Sequence, residues 1–95
     1  MMITFKQEED ERRGKFLIFE NEKPAGEMTY VWAGDKKFII DHTETYKGFN
    51  GKGYAKQLVM KGVEYARERN VKIMPLCPYA KALFDKTESI QDVLL

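Results

Sequence analysis

Cysteine, histidine and tryptophan occur once each in the 95 residues, and proline only three times. One thiol, Cys77, excludes an internal disulfide and fits a reducing compartment. His42, Glu44 and Cys77 are scattered ligands without the paired spacing of a zinc site, so no metal is expected. Sixteen basic against fifteen acidic residues leave a net charge of +1. A balance so close to zero argues against nucleic acid or an anionic membrane as partner, since both need a clear basic excess. No apolar run approaches the roughly 20 residues of a membrane span. The first ten residues, Met1 to Asp10, lack the apolar segment of a signal peptide. Repeats, low-complexity stretches and linkers are missing too. A cytoplasmic protein is expected, folded as one domain over residues 1–95 and monomeric.

What is present is ordinary globular material, 43% hydrophobic and 33% charged. A chain of this size buries roughly 60–65% of its unfolded surface. Met2 to Gln7 reads as a first strand, and the charged run Glu8 to Arg13, ending at Gly14, as a solvated turn. Lys15 to Glu20 is a short apolar run closed by the turn Asn21-Glu22-Lys23-Pro24. Ala25 to Ala33 alternates, with Met28, Tyr30 and Trp32 on one face as core. Gly34-Asp35-Lys36 marks a hairpin, and Lys37 to Thr45 the fourth strand. Short turns between these strands imply an antiparallel meander.

Tyr54 to Asn70 is helical by period. Ala55, Leu58, Val59, Gly62, Tyr65 and Ala66 form one apolar stripe, and Asn70 suits a left-handed cap. Val71 to Met74 is a fifth strand, parallel to the fourth by the crossover rule. Tyr79 to Lys86 is a short helix with Pro78 at its start. The fold class is therefore α+β: a mixed, mostly antiparallel sheet of about five strands, one long crossover helix and a short C-terminal helix.

Between the fourth strand and the long helix stands Lys47-Gly48-Phe49-Asn50-Gly51-Lys52-Gly53-Tyr54-Ala55. Gly48, Gly51 and Gly53 permit a tight bend, and the helix's free first-turn N–H groups face it with the dipole behind them. Such a bend suits phosphate, with Lys47 and Lys52 adding charge. The Walker pattern fails because Gly51-Lys52 is followed by Gly53. The dinucleotide pattern fails because Lys56 stands at the third glycine and four strands come first.

Asn50-Gly51-Lys52-Gly53-Tyr54-Ala55 resembles the coenzyme A loop of the GNAT superfamily of N-acetyltransferases, Gln/Arg-x-x-Gly-x-Gly/Ala. Gly53 and Ala55 match it, whereas Asn50 replaces the usual Gln or Arg. His42-Thr43-Glu44, Leu58-Val59 and Pro75-Leu76-Cys77-Pro78-Tyr79-Ala80-Lys81 extend the resemblance to a subgroup of very short GNAT-like proteins. The resemblance implies acetyl-CoA as cofactor. Its pyrophosphate would lie on the Asn50–Ala55 amides, and its pantetheine arm would run along Thr43, Glu44 and Thr45 where the fourth and fifth strands part. The thioester would then lie near Cys77, Ala80 and Phe84. Many relatives carry a tyrosine there as general acid. The matching position here is Phe84, which has no proton to give.

Cys77, between prolines and at the start of the last helix, is the candidate to protonate the leaving thiolate or to carry the acetyl group. His42, with Glu44 on the same strand face as Phe38 and Ile40, is a candidate base for an amine acceptor. The implied activity is N-acetyltransfer to an unidentified amine on a small molecule or protein. The rival is a coenzyme A or acyl-CoA binding module without catalysis, favoured by the missing acid and by the lack of elements that shape an acceptor site.

Overall fold

The computed structural model describes all 95 residues. Five strands form one sheet in sequence order: β1 (Ile3–Glu9), β2 (Arg13–Glu20), β3 (Lys23–Trp32), β4 (Lys37–Thr45) and β5 (Lys72–Pro75). The first four pair antiparallel, and β5 lies parallel to β4. The connection between those two is α1 (Tyr54–Arg69), which packs on β2, β3 and β4. A second helix, α2 (Pro78–Lys86), and a short 3₁₀ helix (Glu88–Val93) follow on the same side. No helix is long and apolar enough to cross a membrane.

Local chemistry accounts for the boundaries. β1 runs on to Glu9, so the reversal is shorter than the charge run suggested. Asp10 Oδ1 accepts the amides of Arg12 and Arg13, each at 2.8 Å, and the Asp10 N–H donates to the Arg13 carbonyl at 2.9 Å, which together close the turn. At the far end of α1, Asn70 takes the left-handed conformation (φ 56°), and Val71 N–H reaches the Ala66 carbonyl at 2.9 Å. The 3₁₀ helix is fastened by Arg67, whose guanidinium grips both carboxylate oxygens of Asp92 and the Ser89 carbonyl. Leu94 then bridges Ile73, and Leu95 N–H bonds the Ile73 carbonyl at 2.9 Å along the outer edge of β5.

The core lies between the sheet and α1. Ile18, Met28, Tyr30, Phe38, Ile40, Leu58, Val59 and Ile73 are wholly buried there. Tyr30 fills a space that only glycine leaves open, since a Cβ on Gly14 would lie 2.3 Å from its Cζ. Its hydroxyl donates to Glu9 Oε1 at 2.6 Å, an oxygen that also accepts from Trp32 Nε1 and from the Tyr65 hydroxyl. One carboxylate oxygen thus joins β1, β3 and α1.

One expectation fails at β4. His42 and Glu44 do not share a face with Phe38 and Ile40. The register breaks between Thr29 and Tyr30, where Tyr30 faces Ile40 but Thr29 faces His42, and Asp41 is the extra residue. A bulge adds one residue to one strand and so reverses the alternation beyond it. Phe38 and Ile40 stay in the core, while Asp41, His42 and Glu44 are exposed on the sheet face that carries no helix. Thr43, opposite the buried Met28, turns to the helix-covered face instead.

Candidate functional site

The β4–β5 ladder stops at Ile40↔Pro75. The Ile40 carbonyl makes the last tie, accepting the amides of both Leu76 and Cys77 at 3.0 Å. Beyond it β5 turns away into α2, while β4 continues through Asp41–Thr45 with a strand neighbour on the β3 side only. A slot therefore opens between the end of β4 and Cys77, edged by unladdered main chain.

The slot leads to the glycine-rich bend. Gly48, Gly51 and Gly53 all have positive φ (93°, 81° and 78°), and a Cβ on any of them would meet nothing within 4 Å. Conformation therefore explains these glycines, and crowding does not. Gly53 is the N-cap of α1 in the left-handed region, a position that makes no side-chain cap bond. Within the bend only Phe49 N–H is satisfied, by the Tyr46 carbonyl at 3.0 Å. The N–H groups from Asn50 to Lys56 find no acceptor in the protein, and α1 has no acidic residue in its first turn. Four or more unpaired donors at a positive helix end form a ready anion site.

Side chains around the bend are more committed than the sequence suggested. Lys52 Nζ bonds Glu20 Oε1 at 2.7 Å and lies 5.7 Å from the Phe49 ring centroid, so its charge is already balanced. The Tyr54 hydroxyl donates to the same Glu20 oxygen at 2.5 Å, and its buried ring lies 6.5 Å from the Phe49 ring of the bend. Lys52 and Tyr54 together hold Glu20 below the usual carboxylate range, and Glu20 in turn pushes the Tyr54 phenol up to about 12. Asn50, Gly51 and Lys47 are exposed, and Ala55 half-buried.

Cys77 caps α2 with extended backbone (φ −62°, ψ 126°), and its side chain is 7% exposed at the edge of the core. Ala80 and Phe84, one and two turns on, are wholly enclosed. Leu76 and Tyr79 flank the thiol and are 61% and 41% exposed. The resemblance puts the acid position at Phe84, which is wholly buried, whereas the exposed phenol beside the thiol is that of Tyr79. Desolvation and the neighbouring Cys77 charge raise the Tyr79 phenol, whose hydroxyl has no partner in the protein.

On the open sheet face, His42 Nε2 lies 3.1 Å from Glu44 Oε1. Glu27, across from Glu44 and absent from the sequence reading, joins them, with ligand atoms of all three within 4.8 Å. The Tyr46 hydroxyl donates to Glu27 at 2.6 Å, and burial followed by that bond pushes its phenol up to about 12. No hydrogen bond joins His42 to Cys77; the slot lies between them. On the helix-covered face, Thr43 Oγ1 is buried with no hydrogen-bond partner, and no other buried side-chain polar atom shares that condition. Thr45 lies beside Gly26.

A parted parallel strand pair, with an amide-rich bend ahead of the intervening helix, defines the N-acetyltransferase fold class. The sequence model of the GCN5-related N-acetyl-transferases matches residues 15–93. The solution structure of a GCN5-like protein from Staphylococcus aureus is 35% identical, with 95% of this chain and 87% of that one aligned at a TM-score of 0.72. The chain belongs to the GCN5-related N-acetyltransferase family. More distant structures share the fold. A GNAT family acetyltransferase from Elizabethkingia anophelis with acetyl-CoA bound is 11% identical, over 88% of this chain and 72% of that one, at a TM-score of 0.71. The ribosomal-protein-S18-alanine N-acetyltransferase from Escherichia coli is 17% identical over 81% of this chain, at a TM-score of 0.68, and only 52% of its own length is spanned. No curated protein matches the chain in sequence.

Proposed function

We propose that this protein is a minimal acetyl-CoA-dependent N-acetyltransferase acting on an amine. The observation that carries the reading is the run of unpaired N–H groups from Asn50 to Lys56, at the foot of a slot bordered by unladdered β4. Those amides, with Lys47, suit the coenzyme's pyrophosphate. The backbone of Thr43, Glu44 and Thr45 suits its amide-bearing arm, which would run toward Cys77, Ala80 and Phe84. The Pro75–Lys81 segment supports membership of the very short subgroup, and a cytoplasmic setting with a reduced thiol accompanies that reading.

In direct transfer the acceptor nitrogen attacks the thioester carbonyl carbon, a C–N bond forms and the C–S bond breaks. His42, oriented by Glu44, takes the amine proton. The leaving thiolate takes a proton from Cys77 or from the unpartnered Tyr79 hydroxyl. A second route passes the acetyl group through Cys77, whose thiol adjoins the slot.

Isothermal titration with acetyl-CoA, followed by transfer assays on an amine panel, tests the reading. Micromolar binding and turnover are expected, with Tyr79→Phe lowering kcat while leaving coenzyme affinity unchanged. Mass spectrometry of quenched mixtures separates the routes: an acetylated Cys77 peptide selects the relay, and unabated turnover by Cys77→Ser selects direct transfer. Failure of the wild-type chain to bind coenzyme would overturn the proposal.

A further inference from the structure

The helices cover one sheet face only, which leaves the other face open beside the slot between β4 and Cys77. On the open face a cleft of about 440 Å³ extends from the β1–β2 turn to Asp41, where the slot begins, and is within the size range of small-molecule sites. Arg13, Lys15, Thr29, Val31 and Asp41 line it, and Asp41 is the bulge residue that directly follows Ile40, where the strands part.

The charges in the cleft are unequally committed. Glu9 is bonded to Tyr30, Trp32 and Tyr65, Asp10 to the amides of its own turn, and Glu8 lies 3.4 Å from Lys6 and 3.7 Å from Lys15. Two groups remain open. The Arg13 guanidinium makes no hydrogen bond or close ion pair, although its charge reaches Asp10, and Asp41 spends only Oδ1, on the Thr29 hydroxyl at 2.6 Å. One unpaired cation on β2 and one half-free carboxylate on β4 thus stand two strands apart and about two residues along, roughly 12 Å between their backbones.

We infer that this cleft is the acceptor site and that the acceptor is a small zwitterionic amine. Its ammonium sits on Asp41 at the slot, and its carboxylate pairs with the forked donors of Arg13. His42, next in sequence and on the same exposed face, removes one proton; the free amine forms the C–N bond as the coenzyme thiolate departs. The inference rests on the proposed acetyltransferase reading and adds the substrate class.

Glycine, β-alanine and γ-aminobutyrate, each against its carboxamide, are the probes. The first measurement is amide chemical-shift mapping on the intact chain without coenzyme. Shifts at Arg13, Thr29, Val31 and Asp41 for the acids but not the carboxamides are expected. The second is acetyl transfer, where the acids should be preferred and Arg13→Gln should raise KM for the acids about tenfold, with kcat and the carboxamide KM unchanged. Equal use of acids and carboxamides, an unaffected Arg13→Gln, or transfer restricted to peptide amines would overturn the inference. Shifts in the cleft without any coenzyme binding would instead sink the acetyltransferase reading and leave the zwitterion site standing.

Discussion

Tyr54 donates its hydroxyl to Glu20 Oε1 at 2.5 Å, and the same oxygen holds Lys52 at 2.7 Å. The end of β2 therefore fixes both the first helical residue of α1 and the basic residue of the bend. It also places a carboxylate beside the proposed pyrophosphate site.

Glu20→Gln removes that negative charge and releases Lys52. Coenzyme A binding is expected to tighten about two- to fivefold at low salt, with the gain fading as ionic strength rises past the range where charges beyond about 10 Å are screened. Titration calorimetry at several salt concentrations reads this directly. Weaker binding in the variant would mean that Glu20 serves by positioning Lys52.

Gly53 at φ 78° is tested by alanine. No neighbour obstructs a Cβ there, so the cost is conformational alone, about 1–2 kcal/mol for a left-handed alanine. A fall in Tm of about 4–8 °C per kcal/mol is expected for a chain of this size. Coenzyme affinity should drop together with stability, because the bend loses the geometry that aims its amides. Gly53→Asn, which tolerates this region better, should recover part of both.

Thr43→Val deletes the buried hydroxyl that has no partner. Removing an unsatisfied polar atom while keeping the shape is expected to stabilise the free protein by about 1 kcal/mol. Denaturant midpoints of the valine and serine variants check it. A loss of stability in the valine variant would show that the hydroxyl is hydrogen-bonded in solution.

Acid should weaken the fold through four carboxylates. Burial raises Glu9, but the bonds from Tyr30, Trp32 and Tyr65 outweigh it and leave its pKa below the ordinary 4.5. Glu20 is lowered by Lys52 and Tyr54, Asp10 by the amides of Arg13 and Arg12, and Asp92 by Arg67. A depressed carboxylate adds stability that is complete above its unfolded pKa and is lost as pH falls through the folded one. Stability should therefore hold level down to about pH 5 and decline below it. Asp92→Asn should flatten that decline, as chemical denaturation across pH would record.

Much of this arrangement was legible in the chain. Hydrophobic alternation gave the meander, the 3.6-residue period gave α1, and the crossover rule set β5 parallel to β4. Asn70 and Pro78 marked a helix end and a helix start. The glycines announced the bend because positive φ leaves a residue signature. Asp41 left none: a bulge is fixed by pairing with a neighbouring strand, so the faces of His42 and Glu44 came out reversed relative to Phe38 and Ile40. The pairing of Lys52 with Glu20 spans 32 positions, and no local pattern encodes it. Tyr79 carries no motif of its own, and the resemblance pointed to Phe84 for the acid, further along α2.

Leu94 and Leu95 occupy the outer side of β5 by bonding across Ile73. With that border obstructed at Ile73, β1 is the more open margin along which another chain's strand could add, and Lys6, Glu8 and Glu9 discourage it. A sheet with two free margins can propagate without end. One with a single margin terminates at a pair, and the contacts of Leu94 and Leu95 at Ile73 work in that direction.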